Sequence, residues 1–282
     1  MKKFTALMLV LVMMLCCFVA CTSGKTETTT AAADDTTAAP ADTTAEETEA
    51  AKVDPNAKDE GVLTFAQFMA LEDGKEATIE GFVQAKYDYS TGYNNTCFYL
   101  ADGDGAYYVY RWQADADVEK AVAAYNKINV GDKIKVTGVK ASYHGEVEIK
   151  DITALEVVGE DKYVAEIIDI SDKLTAEDLI NNQNKFVAVK GAEVVASTVD
   201  GKEYASLYKY NGTGSQGDDV YFTVKVGEKT YTYLVESDLC NKDTDVYKAA
   251  EALKVGDKID LEGFLYWYDA GQMQVTSITA SK

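Results

Sequence analysis

The run Ile128-Asn129-Val130-Gly131-Asp132-Lys133-Ile134-Lys135-Val136-Thr137-Gly138 returns later in the chain as Leu253-Lys254-Val255-Gly256-Asp257-Lys258-Ile259-Asp260-Leu261-Glu262-Gly263. After one extra residue the match resumes, with Val147, Ile149 and Ile152 opposite Met273, Val275 and Ile278. Self-similarity at a long period means one small module used twice. Ile134 and Val136 alternate with Lys133, Lys135 and Thr137, so the module is β-rich and these two side chains face its core. In both copies the later apolar positions fall two apart and then three. That break in phase predicts a β-bulge at the same place in each module.

The first copy reads in order. Thr64 to Leu71 is a short helix, with Thr64 as cap and Phe65, Phe68 and Met69 at helical spacing. Ile79 to Tyr87 alternates as a strand, Thr96 to Ala101 is a second, and Ala106 to Trp112 a third after the turn Asp102-Gly103-Asp104-Gly105. Asp115 to Lys127 is helical, with Val118, Ala121, Val122 and Tyr125 on one stripe. Lys133 to Ala141 and Glu146 to Val157 complete five strands. The second copy follows suit: a leading helix over Thr175 to Asn182, strands over Lys185 to Ala196, Tyr204 to Val226 and Lys229 to Glu236, a helix over Thr244 to Leu253, and strands over Lys258 to Tyr268 and Met273 to Thr279.

Three strands, a helix and two strands resemble the OB-fold, a five-stranded Greek-key barrel. The phrase Phe98 to Tyr110 is similar to OB domains in uncharacterised lipoproteins of Gram-positive gut bacteria. The fold class expected is therefore all-β with short helices: two tandem OB-fold-like barrels, over 61–160 and 161–282. The resemblance implies a fold and a location; the fold itself hosts many functions.

Residues 1–20 read as a secretion signal: Lys2 and Lys3, then an apolar run from Phe4 to Ala20. Phe18-Val19-Ala20-Cys21 resembles a bacterial lipobox, which implies a diacylglycerol on Cys21 and attachment to the outer face of the cytoplasmic membrane. Residues 21–60 are Thr-, Ala- and acid-rich, hold both prolines and lack aromatics, so they are expected to form a disordered tether.

The chain carries 47 acidic against 27 basic residues, a net charge of −20. Phosphate contacts need a basic face, and Arg111 is the only arginine. Nucleic acid is therefore the disfavoured partner. His144 is the only histidine, so no histidine-rich metal site is expected. Asp132 and Asp257 read as turn residues, and Glu146 and Glu148 as a solvated strand face. No nucleophile-and-base pair stands out, so neither an enzyme nor a cofactor is expected. Cys97 and Cys240 fall at non-equivalent places in the two copies and are not expected to pair.

Aromatic residues are the remaining candidates. If Phe98, Leu100, Tyr107 and Val109 face the barrel interior, strand parity puts Tyr99, Tyr108, Tyr110 and Trp112 on one outward face, with Tyr143 at its rim. OB-folds commonly hold oligonucleotides and oligosaccharides on this face. The trio Tyr266, Trp267 and Tyr268 is a second candidate patch. A glycan is the expected ligand, with a protein-binding adaptor role as the alternative and single-stranded nucleic acid third.

Overall fold

A computed structural model describes residues 53–282. The signal peptide, Cys21 and the tether up to residue 52 lie outside the described residues.

Barrel one closes from β1 (Glu76–Lys86), β2 (Thr96–Ala101), β3 (Ala106–Trp112), β4 (Asp132–Tyr143) and β5 (Glu146–Lys162), in the order β1-β2-β3-β5-β4. The pair β3–β5 is parallel and the others are antiparallel. Helix α1 (Phe65–Ala70) precedes the barrel, and α2 (Val118–Tyr125) joins β3 to β4. Thr64 and Gln67 form a reciprocal capping box on α1, and Asp117 caps α2. Ile79, Phe98, Leu100, Tyr107, Val109, Ile134, Val136 and Ile149 are all fully buried in this barrel's core.

After β6 (Ile168–Asp169), barrel two repeats the plan. It closes from β7 (Phe186–Val195), β11 (Val220–Val226), β12 (Lys229–Val235), β13 (Lys258–Trp267) and β14 (Gly271–Ala280). Here β12–β14 is the parallel pair, β11 pairs back to β7, and α3 (Asp245–Ala252), capped by Thr244, joins β12 to β13. The chain is thus all-β with few short helices, as two closed five-stranded barrels.

The repeated phrase does the same work twice. Asn129 and Lys254 each donate a backbone N–H to an Oδ2, of Asp132 and Asp257 respectively, at 2.8 Å. Gly131 and Gly256 adopt φ of 89° and 94°, a region that favours glycine. The shared bulge is present: the β4–β5 register shifts between Thr137 and Val139, and the β13–β14 register between Glu262 and Gly263. It explains the phrase's final glycine. A Cβ on Gly138 would stand 2.6 Å from the Lys150 carbonyl oxygen, and one on Gly263 2.2 Å from that of Gln274.

Three expectations are corrected. The leading helix of the second copy, expected over Thr175 to Asn182, is two 3-10 turns, Ser171–Lys173 and Leu179–Asn182, neither with a side-chain cap. Uncapped short turns rich in Asn do not propagate. The strand expected over Tyr204 to Val226 starts only at Val220. Before it come β8 (Ser197–Val199), β9 (Lys202–Tyr204) and β10 (Leu207–Tyr208). Asp200 and Gly201, both at positive φ, turn β8 into β9 as a tight hairpin does. Finally, residues 53–60 of the expected tether lie against barrel one. Lys58 pairs with Asp102 at 2.7 Å, Asp59 pairs with Lys135 at 2.7 Å, and Lys133 donates to the Ala57 carbonyl at 2.6 Å.

Candidate functional site

A third apolar cluster lies between the barrels. It contains Tyr87, Cys97, Tyr99, Tyr108 and Phe264, with Phe186, Leu239 and Tyr266 packed against it. Tyr99 stacks on Phe264 with centroids 4.3 Å apart and planes 6° apart, and Phe186 stacks on the same ring at 5.0 Å. The hydroxyls of Tyr87 and Tyr99 both donate to Gln274 Oε1 of barrel two, Tyr99 at 2.7 Å. Burial holds the hydroxyls of Tyr87, Tyr99 and Tyr108 well above the usual phenol range. The outward parity expected for Tyr99 and Tyr108 is correct, but the face is not free: barrel two covers it, and both rings are buried.

Trp112 is corrected differently. Thr96 pairs with Trp112 and Phe98 with Val109, so Cys97 alone stands opposite Tyr110 and Arg111. Arg111 is the extra residue, at φ 54°. This bulge inverts the parity beyond it. Trp112 turns into the core of barrel one, 5.7 Å from Phe98.

The remaining candidates come together at the junction. The β4–β5 turn of barrel one meets the β13–β14 turn of barrel two, bridging at Gly145 and Tyr268. Asp269 donates its N–H to the His144 carbonyl at 2.7 Å, and the His144 Nδ1 lies 3.0 Å from the Asp269 carboxylate. His144 stacks on Tyr268 at 4.1 Å, and Tyr143 meets Tyr268 edge-on at 5.9 Å. Gly145 makes the contact feasible: its φ is +90°, and a Cβ there would sit 2.7 Å from the Trp267 ring. Tyr266 lies edge-on to Tyr108 at 5.6 Å, and Tyr108 neighbours Tyr110 at 6.3 Å, with the Arg111 guanidinium over the Tyr110 ring at 4.8 Å. Tyr143 and Tyr268 are 51% and 44% exposed, and Tyr110 and Tyr266 are half-buried. The two separate patches expected from sequence are therefore one strip, Tyr110–Tyr266–Tyr143–Tyr268, with rings from both barrels. Trp267 is half-buried and packs against the core of barrel two.

Sequence reasoning missed the strip's polar support. Glu146 and Glu148, expected on a solvated face, are 0% and 5% exposed. Glu146 Oε2 accepts the Trp267 backbone N–H at 2.8 Å. Burial, with the neighbouring Glu148 charge, pushes its carboxyl up to about 8. Burial likewise raises Glu148, against the pull of Lys150 and Arg111. Gln183 Oε1 accepts the Val147 N–H at 2.8 Å, and the Asn184 Nδ2 donates to the Val147 carbonyl at 3.4 Å. The only signal for these residues is their place beside the turn that repeats as Tyr266-Trp267-Tyr268.

A pocket of about 690 Å³ lies elsewhere, lined in part by Asp102, Tyr163, Glu166, Lys185 and Phe186, and shares no residue with the strip. Its walls mix charges of both signs. Asp102 is committed to its own turn: Oδ1 accepts the Asp104 and Gly105 N–H groups, and Oδ2 accepts from Tyr107 and Lys58. Among the described residues no group of three or more His, Cys, Asp or Glu is arranged to hold a metal. Cys97 and Cys240 are free and buried, and burial pushes the Cys240 thiol up to about 11.

No protein-family model matches the chain, and no curated protein does. Solved structures do show likeness. A HINb domain is 12% identical, over 73% of this chain and 100% of that one, with a TM-score of 0.34. A murine DNA binding protein, solved with double-stranded DNA, is 14% identical over 73% and 98%, at 0.32. The hypothetical protein ygiW from E. coli is 19% identical over 34% and 89%, at 0.25.

Proposed function

We propose that this chain is a lipid-anchored extracytoplasmic binding protein that holds glycans on the strip Tyr110, Tyr143, Tyr266 and Tyr268. The observation that carries the reading is the accessible row of rings at the barrel junction. Aromatic planes stack on the apolar faces of sugar rings without needing positive charge. That suits a chain of net charge −20, which would repel a polyanion. Cys21 is the proposed anchor, and the strip is non-catalytic.

The test is a titration of the full chain, in detergent, with cell-wall and dietary glycans at low and high salt, read by Trp267 fluorescence. Glycan binding is expected to be nearly salt-independent, whereas nucleic-acid binding weakens steeply with salt. Tyr143→Ala and Tyr268→Ala should each weaken binding about tenfold, equivalent to about 1.4 kcal/mol. If no glycan binds, and the double variant keeps every protein partner that wild type captures, the strip is structural. Cys21→Ser should abolish fatty-acid labelling; a wild-type chain that takes up no fatty acid would refute the anchor.

A further inference from the structure

Arg111, the only arginine of the chain, stands at the Tyr110 end of the strip. It is exposed, and its guanidinium lies over the Tyr110 ring at 4.8 Å. The chain holds 47 acidic residues, yet the ion pairs among the described residues are made by lysines and His144, none by Arg111. Glu148 is near enough to feel Arg111, but it is 5% exposed and Lys150 pulls on it more strongly. The backbone holds this placement at a cost. By parity the residue after Tyr110 would face the core; the bulge turns Arg111 outward and gives the core Trp112 instead. Arg111 sits at φ 54°, a region that residues other than glycine seldom enter. Its N–H donates to the Cys97 Sγ at 3.4 Å, which ties the bulge to β2. Strain of this kind persists only where the surroundings hold it, and it gathers where a side chain must be aimed.

We infer that Arg111 makes the strip a site for carboxylated sugars: its guanidinium receives the carboxylate of a uronic acid whose glycan lies on the strip's tyrosines. A guanidinium on an aromatic face is attracted by the ring beneath it. The ring accepts none of its hydrogen bonds, so the N–H donors stay at the guanidinium edge, in the planar fork that fits a carboxylate bidentately. Tyr110 is 6.3 Å from Tyr108, which is 5.6 Å from Tyr266, so the cation stands beside the rings rather than apart from them. A sparsely charged glycan is the fit. With a net charge of −20 the chain repels a polyuronate as it repels a nucleic acid. One charged contact also keeps the salt dependence shallow.

The inference rests on the strip being a sugar site, and its test separates the two. The full chain, in detergent, is titrated by ligand-observed NMR with methyl glucuronide and methyl galacturonide, against methyl glucoside and methyl galactoside. Within each pair only the carboxylate differs. At least one acid should bind about tenfold tighter than its neutral partner, the worth of one charge-assisted contact. Arg111→Gln should bring the acid down to the affinity of that partner, and Arg111→Lys, which keeps the charge but not the fork, should keep part of the preference. Tyr268→Ala should weaken both members of a pair alike. The denaturation midpoint of each variant checks its fold. Equal binding of acid and neutral sugar by wild type, or a preference that survives Arg111→Gln, would overturn the role of Arg111 and leave the strip standing as a sugar site. If none of these glycosides binds, both fall.

Discussion

Tyr108 of barrel one and Leu234 of barrel two occupy the same strand position. Each bridges in parallel to the last strand of its barrel, Tyr108 to Glu148 and Leu234 to Gln274. By the same register Tyr99 corresponds to Tyr221, and along the repeated phrase Phe264 and Tyr266 correspond to Val139 and Ala141. The barrels therefore dock through unlike faces: the β2–β3 face of barrel one on the β13–β14 face of barrel two. Such a head-to-tail contact could add a third copy without end. The corresponding face of barrel one could not receive the same contact, because Val139 and Ala141 offer no ring to stack on. The frame was duplicated; the docking surface was written once on each copy, in different places.

The largest test of this asymmetry compares equivalent residues. Phe264→Ala should cost about 3–5 kcal/mol, because it removes a buried ring stacked on both Tyr99 and Phe186. Val139→Ala should cost about 1 kcal/mol. Chemical denaturation of the full chain measures both, and equal costs would break the comparison. Core positions should instead behave alike in the two barrels. Leu261→Ala should cost about 2–5 kcal/mol and Val136→Ala about 1–3, the gap reflecting side-chain volume alone. Changes under ~0.5 kcal/mol would mean these side chains do not face the cores.

Gly138→Ala and Gly263→Ala sharpen the likeness of the frames. Both push a methyl group into a bulged backbone, and each should cost about 1–3 kcal/mol in the same assay. A pronounced difference would show that the bulges are not equivalent. The smallest expected effect is a slope. Glu236 stands where barrel one has Tyr110, and its carboxyl is pushed up to about 8, by burial first and then by Asp219 and Asp238. Between the ordinary value of 4.5 and about 8 the native state keeps a proton that the unfolded state has lost. Stability from this group is therefore full below 4.5 and falls as pH rises through that window. Glu236→Gln should flatten the pH dependence of the denaturation midpoint; Tyr110→Phe, at the matching position, should leave it unchanged.

Much of the frame was legible because a strand that lines a closed barrel must alternate. Ile134, Val136, Ile259 and Leu261 show their inward face in their spacing, and the shared change of phase announced the bulge. Trp112 was not legible, because one extra residue at Arg111 inverts parity and leaves no mark in composition. The 3-10 turns before β7 had a helix-like apolar spacing but no cap to sustain it. In the site, Tyr143 and Tyr268 were recognisable as aromatics at turns, but nothing in either local sequence says that the two turns touch.

The sequence by itself determined the repeated module, its core positions, the Gly-Asp turns, the acidity that disfavours a polyanion, and the existence of surplus aromatics. Those properties can be read along the chain alone: each depends on neighbours one or two residues away, on matching one stretch of sequence with another, or on a sum over the chain. Only the tertiary structure decided which aromatics are free. Tyr99 and Tyr143 look alike in their own strands, yet one lies under Phe264 and the other is half exposed. Glu146 reads as solvated until a second barrel excludes water from it. An outward-facing side chain is exposed only if nothing lands on it, and that depends on the fit between two whole surfaces.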